Sequence, residues 1–172
     1  MLNGKTILVT GGTGSFGNAF TQYVLEHYEP KKIIIYSRDE FKQFNMANKF
    51  KKYKDKLRFF IGDVRDKERL YRAFDGVDYV VHAAGATKCL HVDDFYRVNT
   101  EGTKNLADAI IALKMPIKRF VFVSSLSIFG AIREKQPYQE ITEHDTPKPN
   151  TAYGKSKLKA ERYLDSLGIG FP

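Results

Sequence analysis

Apolar residues along this chain fall into two alternating kinds of segment. Short continuous runs rich in Val, Ile and Phe occur at Thr6–Thr10, Lys32–Tyr36, Leu57–Ile61, Tyr79–His82 and Arg119–Ser124. Runs without polar alternation are those of strands buried on both faces, as in a parallel sheet. Between them, helical spacing covers Phe16–His27, Glu40–Tyr53, Lys67–Phe74 and Val92–Leu113, with Asp66 placed to cap the third. A last helix is expected from near Thr151, after the turn Pro147-Lys148-Pro149-Asn150, to about Ser166. Five βα units in succession predict an α/β fold, a doubly wound parallel sheet with helices on both faces. Leu167–Pro172 reads as a helix end and the start of a sixth strand, so the expectation is about five strands, truncated before the sixth. The segment Phe129–Asn150 is long and irregular, and loops of that length are usually functional.

Composition narrows the setting. The 172 residues, 42% hydrophobic and 28% charged, suit one soluble globular domain. The longest apolar runs are strand-sized, so no membrane span is expected. Met1–Thr6 runs straight into the first strand and leaves no room for a signal peptide. A single cysteine, Cys89, excludes an intrachain disulfide framework and suits a reducing cytosol. The formal net charge is +8, spread as 15 basic and 10 acidic residues in 1–86 against 13 and 10 in 87–172. It favours acidic partners without forming a basic arm. The densest run, Lys49, Lys51, Lys52, Lys54 and Lys56, has only Phe50 and Tyr53 as interleaved aromatics. It reads as a solvated helix end, and no nucleic-acid partner is expected. His27, His91 and His144 have no partner at metal spacing, and no metal site is expected.

The first strand ends in Thr10-Gly11-Gly12-Thr13-Gly14-Ser15-Phe16-Gly17. A dinucleotide loop needs one glycine for a tight turn, one for close approach to the pyrophosphate, and one for helix packing. The helix that follows offers free N–H groups to the phosphates. Glycines alone are weak; a strand before, a helix after and further βα units form the context of a Rossmann cofactor site. An NAD site wants an acid about 20 residues on, bound to the ribose 2′-OH. Here Ser37 and Arg38 stand at that place, Asp39 follows, and Lys42 lies within a helical turn. A hydroxyl and two cations suit a 2′-phosphate, so NADP is expected in preference to NAD, although NAD stays open. The plain alternative for Arg38 is a surface salt bridge with Asp39 or Glu40. Asp63-Val64 ends the third strand, where an acid can accept from the adenine amino group or merely cap the next turn. Ala83-Ala84-Gly85 closes the fourth with small residues, as where backbone passes under a cofactor.

Tyr153 and Lys157 lie four apart, on one face of the last helix. A nearby ammonium lowers a tyrosine's pKa from about 10 and lets it act as a base at neutral pH. Val123-Ser124-Ser125-Leu126-Ser127-Ile128-Phe129-Gly130 puts serine hydroxyls at the carboxyl edge of the sheet, where ligands bind.

With these motifs in order, the sequence resembles the extended short-chain dehydrogenase/reductases, in particular the nucleotide-sugar epimerases and 4,6-dehydratases. The matching stretches are Thr10–Gly17, Asp63-Val64, His82-Ala83-Ala84, Asn99 with Gly102-Thr103, Val123–Gly130 and Tyr153–Lys157, over essentially the whole chain. The resemblance implies that Tyr153 is the catalytic base, that Lys157 lowers its pKa and holds the nicotinamide ribose, and that Ser125 positions substrate. It implies cofactor contacts from Gly11, Thr13, Gly14, Ser15, Phe16, Gly17, Ser37, Arg38, Lys42, Asp63, Val64, Ala83, Ala84, Asn99, Tyr153 and Lys157. His82 matches a position that looks structural. Residues 1 to about 84 closely resemble bacterial UDP-N-acetylglucosamine 4,6-dehydratases, which use NADP. From Gly85 onward the chain looks like a general NAD-dependent epimerase/dehydratase, and Leu126 stands where the dehydratases carry an acid. Natural recombination, an engineered chimera or an assembly artefact each accounts for such a seam. Eliminating water across C5–C6 needs an acid on the leaving hydroxyl, which leucine cannot supply; epimerisation needs only a rotated ketone.

The implied function is an NAD(P)-dependent epimerase or dehydratase acting through C4 oxidation of a UDP-sugar, in a cytoplasmic route to surface polysaccharide. Relatives carry later strands and a C-terminal substrate-binding region expected to be absent from residues 1–172. The alternative is therefore a dinucleotide-binding module without turnover; a cofactor-sensing regulator on the same fold is a third reading. Relatives commonly pair through the helices after strands four and five, so a homodimer is one expectation, and association through an uncovered sheet edge another.

Overall fold

The computed structural model describes residues 1–131 and 140–172. Within the expected irregular segment Phe129–Asn150, residues 132–139 therefore lie outside the described residues. Five strands, β1 (Thr6–Thr10), β2 (Lys32–Ser37), β3 (Leu57–Ile61), β4 (Tyr79–His82) and β5 (Arg119–Phe122), form one sheet in the order β3-β2-β1-β4-β5. All pairs are parallel; Thr10 stands opposite both Tyr36 and His82, and His82 opposite Phe122. The order reverses at β1, and ligands of such sheets bind beyond the strand ends at that switch.

The helices are α1 (Ser15–His27), α2 (Glu40–Lys49), α3 (Lys67–Ala73), α4 (Val92–Phe95), α5 (Gly102–Ala112) and α6 (Ala152–Ser166). Successive side chains on a strand point to opposite faces, and the all-apolar strands accordingly build two cores. Leu8, Ile34, Tyr36 and Val80 pack with Leu70, Phe74, Leu106 and Ile110 on one face. Ile7, Val9, Ile33, Ile35 and Val81 pack with Val24, Leu25 and Met46 on the other. β1 is buried at every position, which explains its lack of polar alternation.

Three elements depart most from the sequence expectation. The helix expected over Glu40–Tyr53 ends at Lys49, because Phe50 leaves helical geometry at φ −101°, ψ 24° and turns inward. The lysine run is consequently carried by short 3₁₀ turns at Lys51–Lys56, where Lys52 lies over the Tyr53 ring and Lys56 pairs with Glu29. The helix expected over Val92–Leu113 is widened by a π-helical stretch at Tyr96–Glu101. β5 stops at Phe122, level with the last residue of β4; Val123 N still donates to the His82 carbonyl at 3.0 Å, and Ser124 lies beyond the strand. The chain's last residues run beside β5: Phe120 N donates to the Pro172 carbonyl at 3.2 Å and Phe171 packs edge-on against Phe120.

Candidate cofactor and active site

The glycine loop is shaped by how closely backbone meets backbone. Gly11 has φ +65°, and a Cβ there would lie 2.7 Å from Ala84 Cα. Gly14 N donates to Gly11 O at 3.0 Å and closes the turn that starts α1. A Cβ on Gly17 would fall on the backbone carbonyl of Gly12, so the helix can approach the loop only with glycine there. Asn18 bridges the carbonyls of Thr13 and Gly14 at 3.1 Å each and holds the loop against the first turn. The first-turn N–H groups, Ser15 and Phe16 included, lack intrahelical acceptors, as anion sites require.

Beyond the strand ends lies a cleft of about 260 Å³. It brings together Gly11, Thr13, Gly14, Ser37, Arg38, Lys42, Asp63, Val64 and Ala84 from the expected cofactor residues. Gly85, of the small-residue end of β4, also lines it, as do Asp39, Tyr36, Gly62 and Val98, which carry no cofactor signal in the sequence. Tyr36 shows why Gly62 is glycine: a Cβ there would collide with the phenol ring. Gln43, also unforeseen, is 4% exposed and donates to the Ser37 carbonyl at 3.1 Å and the Phe60 carbonyl at 3.0 Å, tying the ends of β2 and β3 together. A buried glutamine three residues beyond a helix start is its only sequence signal.

The cleft's charges are already paired in a particular way. Asp39 caps α2 through the Lys42 N–H at 2.9 Å and faces Lys42 Nζ at 3.4 Å; these contacts hold its carboxyl below the usual range. Arg38 pairs with neither Asp39 nor Glu40 but reaches across to Asp63 Oδ2 at 3.4 Å. Arg65 grips the same carboxylate from two points, at 3.0 and 2.8 Å. Burial raises the Asp63 pKa, but the hydrogen bonds and charge of Arg65, with Arg38, outweigh it and leave the group below the usual carboxylate range.

Behind the cleft, buried polar residues lock the strand ends. His82 is fully buried, with Nδ1 2.6 Å from Thr10 Oγ1 and Nε2 2.9 Å from Thr103 Oγ1. Because Thr103 donates to the Asn99 carbonyl at 2.6 Å, its oxygen accepts from Nε2–H and Nδ1 accepts from Thr10. Burial, with the nearby Lys157 charge, lowers the His82 pKa to about 3, so the ring is neutral and structural. Asn99 is buried: its Oδ1 accepts from Ala86 N at 2.7 Å, and Nδ2 donates to Ala86 O at 3.1 Å and Ser156 Oγ at 2.9 Å. Its amide therefore joins the β4 exit to α6 and does not line the cleft; it acts on the site through Ala86 and Ser156. Ala83 likewise serves through backbone, donating to Thr10 O at 3.1 Å.

The residues expected to carry proton transfer lie on the β5 exit and on α6, whose Lys157 packs against it. Thr151 caps α6 by accepting from Gly154 N at 3.0 Å. Gly154 lets the first turn press on the Ser127 carbonyl, which a side chain would strike. Ser125, in the turn before, accepts from Ser127 N at 3.2 Å. Lys157, 3% exposed, donates to Val123 O at 2.7 Å and lies 3.8 Å over the Phe122 ring. Tyr153 is half-buried one turn earlier, its ring 6.4 Å from Phe95. α6 thus seats Lys157 against the strand end that leads to Ser125, with Tyr153 one turn earlier beside Phe95. Burial lowers Lys157 to about 8, against a raising influence from Glu161. The unfolded state then holds the proton between about pH 8 and 10.5 while the folded state releases it, so stability from this group rises with pH through that window. At neutral pH the buried ammonium costs roughly 3 kcal/mol. Lys157→Met is expected to raise the chain's own unfolding free energy by about 1–2 kcal/mol after its lost hydrogen bond is deducted; a urea titration at pH 7 checks this.

Among the described residues, no group of three His, Cys, Asp or Glu side chains could hold a metal ion, and no helix is long and apolar enough to cross a membrane. A family model described as NAD dependent epimerase/dehydratase family matches residues 7–168. The chain is 53% identical over 144 residues to an inverting UDP-N-acetylglucosamine 4,6-dehydratase of Campylobacter jejuni, covering 77% of this chain and 42% of that protein. The match therefore reaches past residue 84. It is 40% identical over 129 residues to a UDP-glucose 4-epimerase of Rickettsia canadensis, covering 70% of this chain and 36% of that protein. The Bordetella bronchiseptica enzyme WbmG, solved in complex with NAD, superposes with a TM-score of 0.77 at 26% identity, covering 94% of this chain and 49% of that one. The chain thus spans about half or less of the length of the relatives it matches. From the glycine turn to the Tyr153–Lys157 helix, the chain belongs to the NAD dependent epimerase/dehydratase family.

Proposed function

We propose that this chain is the cofactor-binding and proton-transfer half of an NADP-dependent nucleotide-sugar epimerase or dehydratase that works on a UDP-sugar through C4. The observation that supports this is that the ends of parallel strands carry both a cleft lined by the Gly11–Gly14 turn, Arg38, Lys42 and Asp63 and, after β5, Ser125 with Lys157 held on the Val123 carbonyl. The residues fit a dinucleotide: Gly11 lies too close to the Ala84 backbone for a side chain of its own, and the cleft beside them presents backbone and charge. A nicotinamide cofactor held there would supply the hydride acceptor for C4 oxidation.

Within that arrangement Tyr153 takes the proton of the C4 hydroxyl, and Ser125 orients that hydroxyl. The Lys157 ammonium, held by Val123 O, favours the phenolate by its charge and offers remaining N–H groups to the nicotinamide ribose. Gly11, Thr13, Gly14 and the first turn of α1, from Ser15 to Gly17, receive the pyrophosphate. Asp63 and Val64 bound the adenine. Asp39 is committed to capping α2, whereas Arg38 and Lys42 are 61% and 63% exposed on single long contacts; this supports a 2′-phosphate over a 2′-hydroxyl. Leu126, 69% exposed beside Ser125, has no proton to give a leaving hydroxyl, which favours epimerisation over dehydration. The reading places the reaction in the cytoplasm, upstream of surface polysaccharide, in agreement with the single free cysteine, and in a homodimer.

Purified chain is expected to bind NADP more tightly than NAD, and Arg38→Ala to weaken NADP about tenfold or more while leaving NAD nearly unchanged. Titration calorimetry with both cofactors measures this, and equal losses would defeat the NADP assignment. Adding UDP-sugars to the NADP complex then tests turnover: a changed sugar supports the enzyme reading, and tight binding without chemistry supports a module.

A further inference from the structure

We infer that Arg65 sets the cofactor preference of the cleft as a positioning residue, by holding Asp63 so that Arg38 stays available to an anionic group. The inference rests on the reading of the cleft as an NADP site. Asp63 faces two guanidiniums of unequal grip. Arg65 forks onto it, Nε to Oδ1 at 3.0 Å and Nη2 to Oδ2 at 2.8 Å, and its backbone N–H adds a contact to Oδ1 at 2.9 Å. Arg38 reaches Oδ2 with one nitrogen at 3.4 Å. A two-point charge-assisted pair is the stronger of the two and fixes the carboxylate's plane.

The fork is itself held in place. The Tyr36 hydroxyl donates to the Asp63 carbonyl at 2.9 Å, Asp66 N donates to the same carbonyl at 2.9 Å, and Asn105 reaches the Val64 carbonyl at 3.3 Å. Arg65 and Asp94 of α4 also line one cavity of about 250 Å³, which shares Arg38 and Val98 with the cofactor cleft. Asp94 itself pairs with Arg97 at 3.8 Å, and the hold of Arg65 on Asp63 leaves Arg38 a single long contact there.

Without Arg65, Asp63 has Arg38 as its facing cation. A 2′-phosphate must then break that pair before it binds, whereas the 2′-hydroxyl of NAD need not. Arg65→Ala is therefore expected to weaken NADP about tenfold while NAD changes less than about twofold. Arg65→Lys keeps the charge but not the fork, and is expected to lose part of the preference. In Asp63→Asn/Arg65→Ala no carboxylate remains to capture Arg38, so the NADP-to-NAD affinity ratio should return toward wild type although both cofactors bind more weakly. Arg65 is 45% exposed, so the variants should fold, and thermal unfolding checks that they do. Equal losses of both cofactors in Arg65→Ala, a wild-type ratio in Arg65→Lys, or a double variant whose ratio stays low would each overturn the inference. A wild-type chain without NADP preference would defeat the NADP reading itself and this inference with it. A wild-type preference that survives Arg65→Ala would defeat the inference alone.

Discussion

Gly17→Ala is expected to lower the unfolding free energy by at least about 3 kcal/mol and Tm by roughly 10 °C. A Cβ at this position meets the carbonyl oxygen, carbonyl carbon and Cα of Gly12, all backbone atoms that cannot rotate aside. Relief requires α1 to shift away from the loop. That shift would loosen Val24 and Leu25 from their core and move the first-turn N–H groups off the pyrophosphate position. Cofactor binding should therefore fall with stability. Gly170→Ala, where an added Cβ meets nothing within 4 Å, is the matched control and should stay within about 0.5 kcal/mol of wild type. Differential scanning calorimetry of both variants is decisive; a Gly17→Ala Tm within a degree or two of the parent would show that the loop yields easily.

The second large effect is a loss of stability in mild acid. His82 has its folded pKa lowered from 6.5 to about 3, so the unfolded chain takes up a proton that the folded chain refuses. Stability from this group is therefore fully present above about pH 6.5 and falls as pH drops toward 3. Between pH 6.5 and 4.5, above the ordinary carboxylate range, the loss should be roughly 2–3 kcal/mol. Urea titrations across this interval measure it. His82→Leu is expected to be less stable at pH 7.5, because Thr10 and Thr103 lose their shared partner, yet to show a flatter acid slope by close to one proton. An unchanged slope would assign the acid sensitivity to another group.

Much of the site was legible in the sequence because it is local. The glycine turn, the strand ends at Ser37, Asp63 and Ala84, and the Tyr153–Lys157 spacing each follow from a few neighbouring residues. Parallel strands buried on both faces also leave a plain apolar signature, which located all five, three of them to the residue. The misjudged boundaries lie where distant packing overrides local pattern. Phe50 leaves helical geometry to reach the core beside Met46, and Tyr96–Glu101 widens into a π-helical stretch in the segment that carries buried Asn99.

The partners of the buried and charged groups were not legible. Arg38 had two acids next to it in sequence and pairs with a third, 25 residues away, because β2 and β3 are neighbours in the sheet. Asn99 bonds through its amide to Ala86 and Ser156, partners 13 and 57 residues away in sequence. Order along the chain determined the doubly wound sheet, the end of it that bears the cleft, and the residue types placed there, since hydrophobic period and short motifs are local properties. The tertiary structure alone decided which charge faces which and which polar groups are already satisfied. Hydrogen bonds and ion pairs depend on distances of about 3 Å, and only the folded chain sets those between residues far apart in sequence.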